Sequence, residues 1–190
     1  MNLFIKNLVD ELDANRAMFT ALCLACDPQY MLRTNSSDNW KVQDHLSHIA
    51  SYDQITISHF SQRDDSYPDA QRLKFNTDND HDSWNEIEIR TRKNQGIKMR
   101  LEEMKLFRKR SLELLTSATE KTLTNEVYFP GDFRRKAGMV PLKLWLRYWS
   151  KHDMLHAQAI LQSVPEFRVN SDFQSWLEGD PFLEAVNRIA

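Results

Sequence analysis

Residues 142–162 read LKLWLRYWSKHDMLHAQAILQ, with Pro141 just before them and Pro165 just after. Leu142, Trp145, Trp149, His152, His156 and Ala159 recur at steps of three and four, the spacing that lines one face of an α-helix. Proline suits the first turn of a helix, and a residue that precedes proline is pushed out of helical geometry. The stretch therefore reads as one helix ending at about Gln162. Its inward seam is aromatic in the first half and carries two imidazoles in the second. Such a seam is stable only when other helices cover it.

Three more seams lie upstream. Ile5, Leu8, Leu12, Asn15, Phe19, Leu22 and Cys26 place a first helix over residues 2–26, closed by Pro28. A second runs from Val42 to Gln62 with two stripes side by side. Val42, Leu46, Ile49, Asp53, Thr56 and Phe60 make one, and His45, His48, Tyr52, Ile55 and His59 the other. So broad and partly polar an inner face exceeds what packing alone requires. Ser83 and Glu86 form a capping box that opens a third helix reaching Ala118. Its seam is Ile97, Leu101, Met104, Phe107, Ser111, Leu114 and Ala118, and Gly96 kinks or breaks it near the start. Residues 27–39 form a polar connection, 63–82 a long surface loop rich in Asp, Ser and Asn, and 119–139 a connection with a turn at Pro130-Gly131.

The predicted fold is all-α. It is an up-down four-helix bundle over residues 1–165 with essentially no sheet, its second and fourth helices adjacent across the core. Residues 166–190 add one or two short helices that cover the bundle. Only 4 glycines and 6 prolines argue against an all-β fold, which needs many tight turns.

With 190 residues, 41% of them hydrophobic and 27% charged, the chain fits one globular domain. The net charge of -2 implies no bulk attraction to nucleic acid or anionic lipid. The mixed charges of the third helix, from Arg90 to Glu113, read as a solvated face. No stretch approaches the roughly 18 apolar residues of a membrane span. The N-terminus turns acidic too early for a secretory signal, so a cytoplasmic location is expected. Cys23 and Cys26 read as core packing rather than a disulfide framework.

The chemistry centres on His152 and His156. Residues four apart on a helix have Cβ atoms about 5–6 Å apart on one face, so two imidazoles can converge on one ion. The plainer reading is a pair of core or rim histidines bonded to other side chains. A third ligand has to come from another helix, and spacing alone does not choose between His45 and His48. His59 and His81 read as solvated or capping residues. Asp44, Tyr52, Asp53 and Asp153 lie near the histidines in sequence, where each would either fix an imidazole tautomer or serve as a cap or surface charge.

The segment Trp40-Lys41-Val42-Gln43-Asp44-His45-Leu46-Ser47-His48-Ile49-Ala50 resembles the opening of the second helix in the DinB-like, or YfiT-like, superfamily. Asp82-Ser83-Trp84-Asn85-Glu86 resembles the start of that family's third helix. Val140-Pro141-Leu142, with Tyr148, His152, Asp153 and His156, resembles its last. The order and spacing of these motifs carry the resemblance from the first helix to about Gln162.

The resemblance implies a divalent metal ion, zinc, nickel or similar, on His48, His152 and His156. It also implies a metal-dependent enzyme acting on a small molecule, either a transferase that uses a low-molecular-weight thiol or a hydrolase. The rival reading is a non-catalytic bundle that sequesters a metal or small ligand. Family members often pair, and the apolar surplus around Trp145 and Tyr148 points the same way, so a homodimer is expected. Lys41 departs from the usual Ser or Thr at its position, which leaves Asn39 or Asp38 to cap the helix. The tail after Pro165 is not covered.

Overall fold

Asn2 caps the first helix, α1 (Leu3–Ala25), by accepting a hydrogen bond from the Phe4 amide at 2.9 Å. The computed structural model describes residues 2–34, 39–61, 78–131, 136–169 and 171–188. Beyond α1 they form α2 (Val42–Ser61), α3 (Asp78–Thr91), α4 (Ile97–Ser117), α5 (Glu120–Leu123), β1 (Glu126–Phe129), β2 (Gly138–Pro141), α6 (Leu142–Ser163), α7 (Ser171–Leu177) and α8 (Pro181–Asn187). Short 3₁₀ turns at Pro28–Leu32 and Pro165–Val169 follow α1 and α6. The fold is all-α, and no helix is long and apolar enough to cross a membrane among the described residues.

The four long helices pack in the order α1, α4, α2, α6 and back to α1. Side-chain contacts give their directions. His45 meets His156 and His48 meets His152, so α2 and α6 are antiparallel neighbours. Glu11 pairs with Lys151 and Arg16 with Asp153, so α1 and α6 run the same way. Arg100 reaches the Gln43 carbonyl and Arg108 reaches Asp53, so α2 and α4 also run the same way. The order is therefore up, down, down, up. A parallel pair needs a connection that returns along its length, and α3 belongs to it.

The expected third helix is two. α3 begins at Asp78, earlier than the Ser83 capping box, and the chain breaks at residues 92–96, where Gly96 precedes α4. Arg92 holds the break: it is buried, pairs with Glu88 and Glu103, and its carbonyl accepts from Arg100. The greater part of the predicted 63–82 loop lies outside the described residues. In the 119–139 connection a small hairpin appears that the helical seams do not signal. β1 and β2 pair antiparallel, Glu126 opposite Pro141 and Phe129 opposite Gly138.

Two apolar clusters fill the interior. Ile5, Leu8, Leu12, Leu115, Trp145 and Trp149 belong to one, and Phe19, Leu22, Leu46, Ile49, Ala157 and Ile160 to the other. Along all four helices a charged layer separates them: Arg16, Asp53, Arg108 and Asp153, each buried. Arg92, Arg100 and Arg108 are thus not part of a solvated face. The buried stripe of α4 runs Arg100, Met104, Arg108, Ser111, Leu114 and Leu115: it keeps Met104, Ser111 and Leu114 of the expected seam and has Arg108 in place of Phe107, because two aspartates await Arg108 inside.

Phe173 of α7 joins the second cluster, Trp176 donates its indole hydrogen to Asn15 at 2.9 Å, and Phe182 and Leu183 of α8 pack with Met154. Trp145 is fully buried, and Tyr148 packs edge-on against Phe129 and Phe182. The apolar surplus of α6 is spent inside one chain, so pairing of two chains rests on the resemblance alone. Cys23 and Cys26 are buried free thiols, and burial pushes Cys26 up to about 11.

Candidate metal centre

α2 and α6 face each other across the core with their imidazoles in register. His48 Nε2 lies 3.1 Å from His152 Nε2, and His156 Nε2 lies 3.2 Å from the same atom. The three residues each offer one nitrogen, all within 4.8 Å of one another. Two nitrogens bound to one ion at about 2.0–2.1 Å in tetrahedral geometry lie about 3.3 Å apart, so the trio fits a single cation. Hydrogen bonding fits less well. An imidazole nitrogen carries either one hydrogen or one lone pair, so His152 Nε2 cannot satisfy both neighbours at once.

Burial dominates the electrostatics. It pushes His48 down to about 3, helped by His45 and opposed by Asn85 of α3. Burial first, then His48, holds His152 well below the usual range, with Arg16 and Arg108 adding to the shift. Burial and His152 do the same to His156. All three rings are neutral near pH 7, the form a metal needs.

The ring packing fixes their orientation. Tyr52 stacks on His152 at 3.7 Å between centroids, and Trp40 lies 5.0 Å from His48 on the other side. His45 is outside the trio. Its Nδ1 is 2.9 Å from Nδ1 of His156, so it is a partner of a cluster histidine rather than a member.

The remaining candidates divide differently from expectation. Asp44 accepts the Lys41 amide at 3.0 Å, which supplies the cap that Lys41 cannot. Asn39 instead takes a left-handed backbone, φ 63, and Asp38 lies outside the described residues. Asp53 and Asp153 touch no imidazole. Asp53 accepts from Arg16 and Arg108 at 3.1 Å each and from Trp149 Nε1 at 2.9 Å. Asp153 accepts from Arg16 at 2.7 and 3.0 Å and from Arg108 at 3.3 Å. Burial raises the Asp153 pKa, but the two arginines outweigh it and hold the carboxyl below its usual value. His59 and His81 are buried, not solvated. The spacing of His59 on the second stripe of α2 already turned it inward, whereas His81 lies in an Asp-rich stretch that carries no seam.

The site is thus a neutral imidazole trio at the junction of two antiparallel helices, His48 and His152 buried and His156 partly so, set beside a balanced charge layer. No curated protein and no solved structure matches the chain. The sequence profile of the DinB superfamily matches residues 11–160, which include all three cluster histidines, and the chain belongs to that superfamily.

Proposed function

We propose that this protein is a metal-dependent enzyme whose divalent ion, zinc, nickel or similar, is held by His48, His152 and His156. The observation that carries the reading is His152 Nε2, which faces two other Nε2 atoms at 3.1 and 3.2 Å. A shared cation satisfies all three. Three protein ligands leave a coordination position free, the mark of a catalytic rather than a structural site. The ion would supply Lewis acidity there and lower the pKa of a water or a small thiol that reaches it. Transfer from a low-molecular-weight thiol and hydrolysis are the two reaction classes this chemistry serves.

The chain's own residues prepare the site. With Nε2 of neutral His156 turned to the ion, its hydrogen sits on Nδ1 and is donated to His45 Nδ1. His45 then carries its own hydrogen on Nε2. Tyr52, stacked on His152, and Trp40 exclude water from two sides of the trio.

His48→Ala is expected to abolish stoichiometric metal binding, measured by elemental analysis of untagged protein. His45→Ala is expected to keep the stoichiometry and weaken affinity by about 10–100-fold, the usual effect of losing a partner behind a ligand. The reverse pattern would put the ion on His45, about one turn nearer the start of α2. The cobalt-substituted protein should answer added thiols with a charge-transfer band, and His156→Ala should lose that band. A fully loaded cobalt protein blind to thiols, anions and chelators would replace catalysis with a closed, structural site.

A further inference from the structure

His48 turns Nε2 to the trio, so its other ring nitrogen, Nδ1, points away from it. That atom is buried and has no hydrogen-bond partner among the described residues. The carbonyl oxygen of Asn85, on α3, is likewise buried and unmet among them. Buried polar atoms are almost always paired, because they surrender water without replacement. A ring nitrogen that carries hydrogen and an amide oxygen each offer what the other lacks.

The placing of α3 brings the two atoms together. His81, Asn85 and Glu88 recur at steps of four and three, so they share one face of α3, and Arg92 continues that face past the helix end. At this end the Arg92 carbonyl accepts from Arg100, which also reaches the Gln43 carbonyl early in α2. At the other end His81 lies 6.3 Å from Trp145, the ring that His59 meets late in α2 at 4.7 Å. α3 thus runs back along α2, and Asn85 falls between Gln43 and His59, as His48 does. Its side chain acts on His48 as a hydrogen-bond partner that favours the charged ring, the effect of a carbonyl facing an N–H. The last torsion of both side chains is broad and shallow, so closing the contact costs little.

We propose that Asn85 is a positioning residue of the metal centre: its Oδ1 accepts the Nδ1 hydrogen of His48 and leaves Nε2 bare toward His152 and His156. This rests on the metal reading, and it gives the crossover helix a part in the site. A neutral imidazole exists in two tautomers, and which nitrogen can hold an ion is set by the bond the other makes. With its hydrogen fixed on Nδ1, His48 has its metal-binding nitrogen free before an ion arrives, and the bond makes that nitrogen more basic. His45 serves His156 in the same way, through the Nδ1 pair at 2.9 Å. Two of the three ligands are then held from behind, one by α2 and one by α3.

The test reads the ring nitrogens of chelator-treated, full-length ¹⁵N-labelled protein near pH 7 by long-range ¹H–¹⁵N NMR. The His48 signals are those lost in His48→Gln. They are expected to show a hydrogen on Nδ1 and a bare Nε2. Asn85→Leu keeps the volume and removes the acceptor. It should move His48 toward the opposite tautomer and weaken zinc binding, measured by competition with a chromophoric chelator, by about 10–100-fold at unchanged stoichiometry. Asn85→Asp keeps an acceptor at the same point and should retain both the tautomer and the affinity. A hydrogen on Nε2 in the natural protein, an unchanged tautomer in Asn85→Leu, or equal losses in Asn85→Asp and Asn85→Leu would each overturn the assignment. Should Asn85→Leu fail to fold, Asn85→Ala makes the same comparison. Failure of the metal reading is a separate result, a natural protein that takes up no divalent ion, and the ring signals decide on Asn85 without it.

Discussion

Asp53→Ala is expected to lower the stability of the protein by about 3–5 kcal/mol, the usual effect of stranding a buried charge. Asp53 is fully buried and accepts from Arg16, Arg108 and Trp149 together. Without it two guanidinium groups share only Asp153, and one positive charge is left in the interior with no counter-ion. A domain has only about 5–15 kcal/mol to lose, so the variant should keep only part of its stability. Urea denaturation followed by circular dichroism measures the effect. A loss below about 1 kcal/mol would show that water reaches the layer and screens it.

Acid should act on a different set of groups. Chelator-treated protein is expected to lose its cooperative fold as the pH falls from 6.5 to about 5. The unfolded imidazole titrates near 6.5, whereas burial holds folded His48 and His59 near 3 and His152 well below 6.5. Below 6.5 the unfolded chain therefore takes up protons that the folded chain refuses, and stability falls until the folded values are reached. Each such group costs about 1.4 kcal/mol per pH unit. Three buried imidazoles cost about 4 kcal/mol per unit, or about 6 kcal/mol by pH 5, enough to unfold a domain of ordinary stability. His156, held well below 6.5 as well, adds to the slope, and Asp153 contributes only below 3.8. Urea midpoints across this range would reveal it, and His59→Phe should remove one proton from the slope. A flat profile between pH 7 and 5 would mean that the imidazoles are reached by water.

The parts legible in the sequence are those governed by local spacing. Four seams gave the long helices, and His152 and His156 stood four apart on one of them. The choice of His48 over His45 was not legible from spacing, since both lie on one stripe of α2; the resemblance made it, and the geometry places His48 in the trio. The hairpin escaped notice because its strands are four residues long and sit between helices. Arg16 and Arg108 escaped for a deeper reason. An arginine on an amphipathic helix reads as surface unless an acid meets it inside, and Asp153 is 137 residues from Arg16. His81 was misread the same way, since its burial comes from contacts between elements rather than from its neighbours in the chain, whereas His59 already stood on an inner stripe of α2.

The order of packing also bears on how the chain acquires its structure during synthesis. α1 is made before both of the long helices it packs beside, α4 and α6. As the chain leaves the ribosome, the apolar stripe of α1 shares its clusters with α2 alone among the long helices until residue 97 has emerged. The charge layer, which takes one residue from each long helix, stays incomplete until Asp153 has appeared. The pairing of α2 with α4 can form before α6 is made, whereas the complete core waits for α6, late in translation. Until then Leu8, Leu12, Phe19 and Leu22 form an uncovered stripe on the nascent chain, the surface that chaperones recognise.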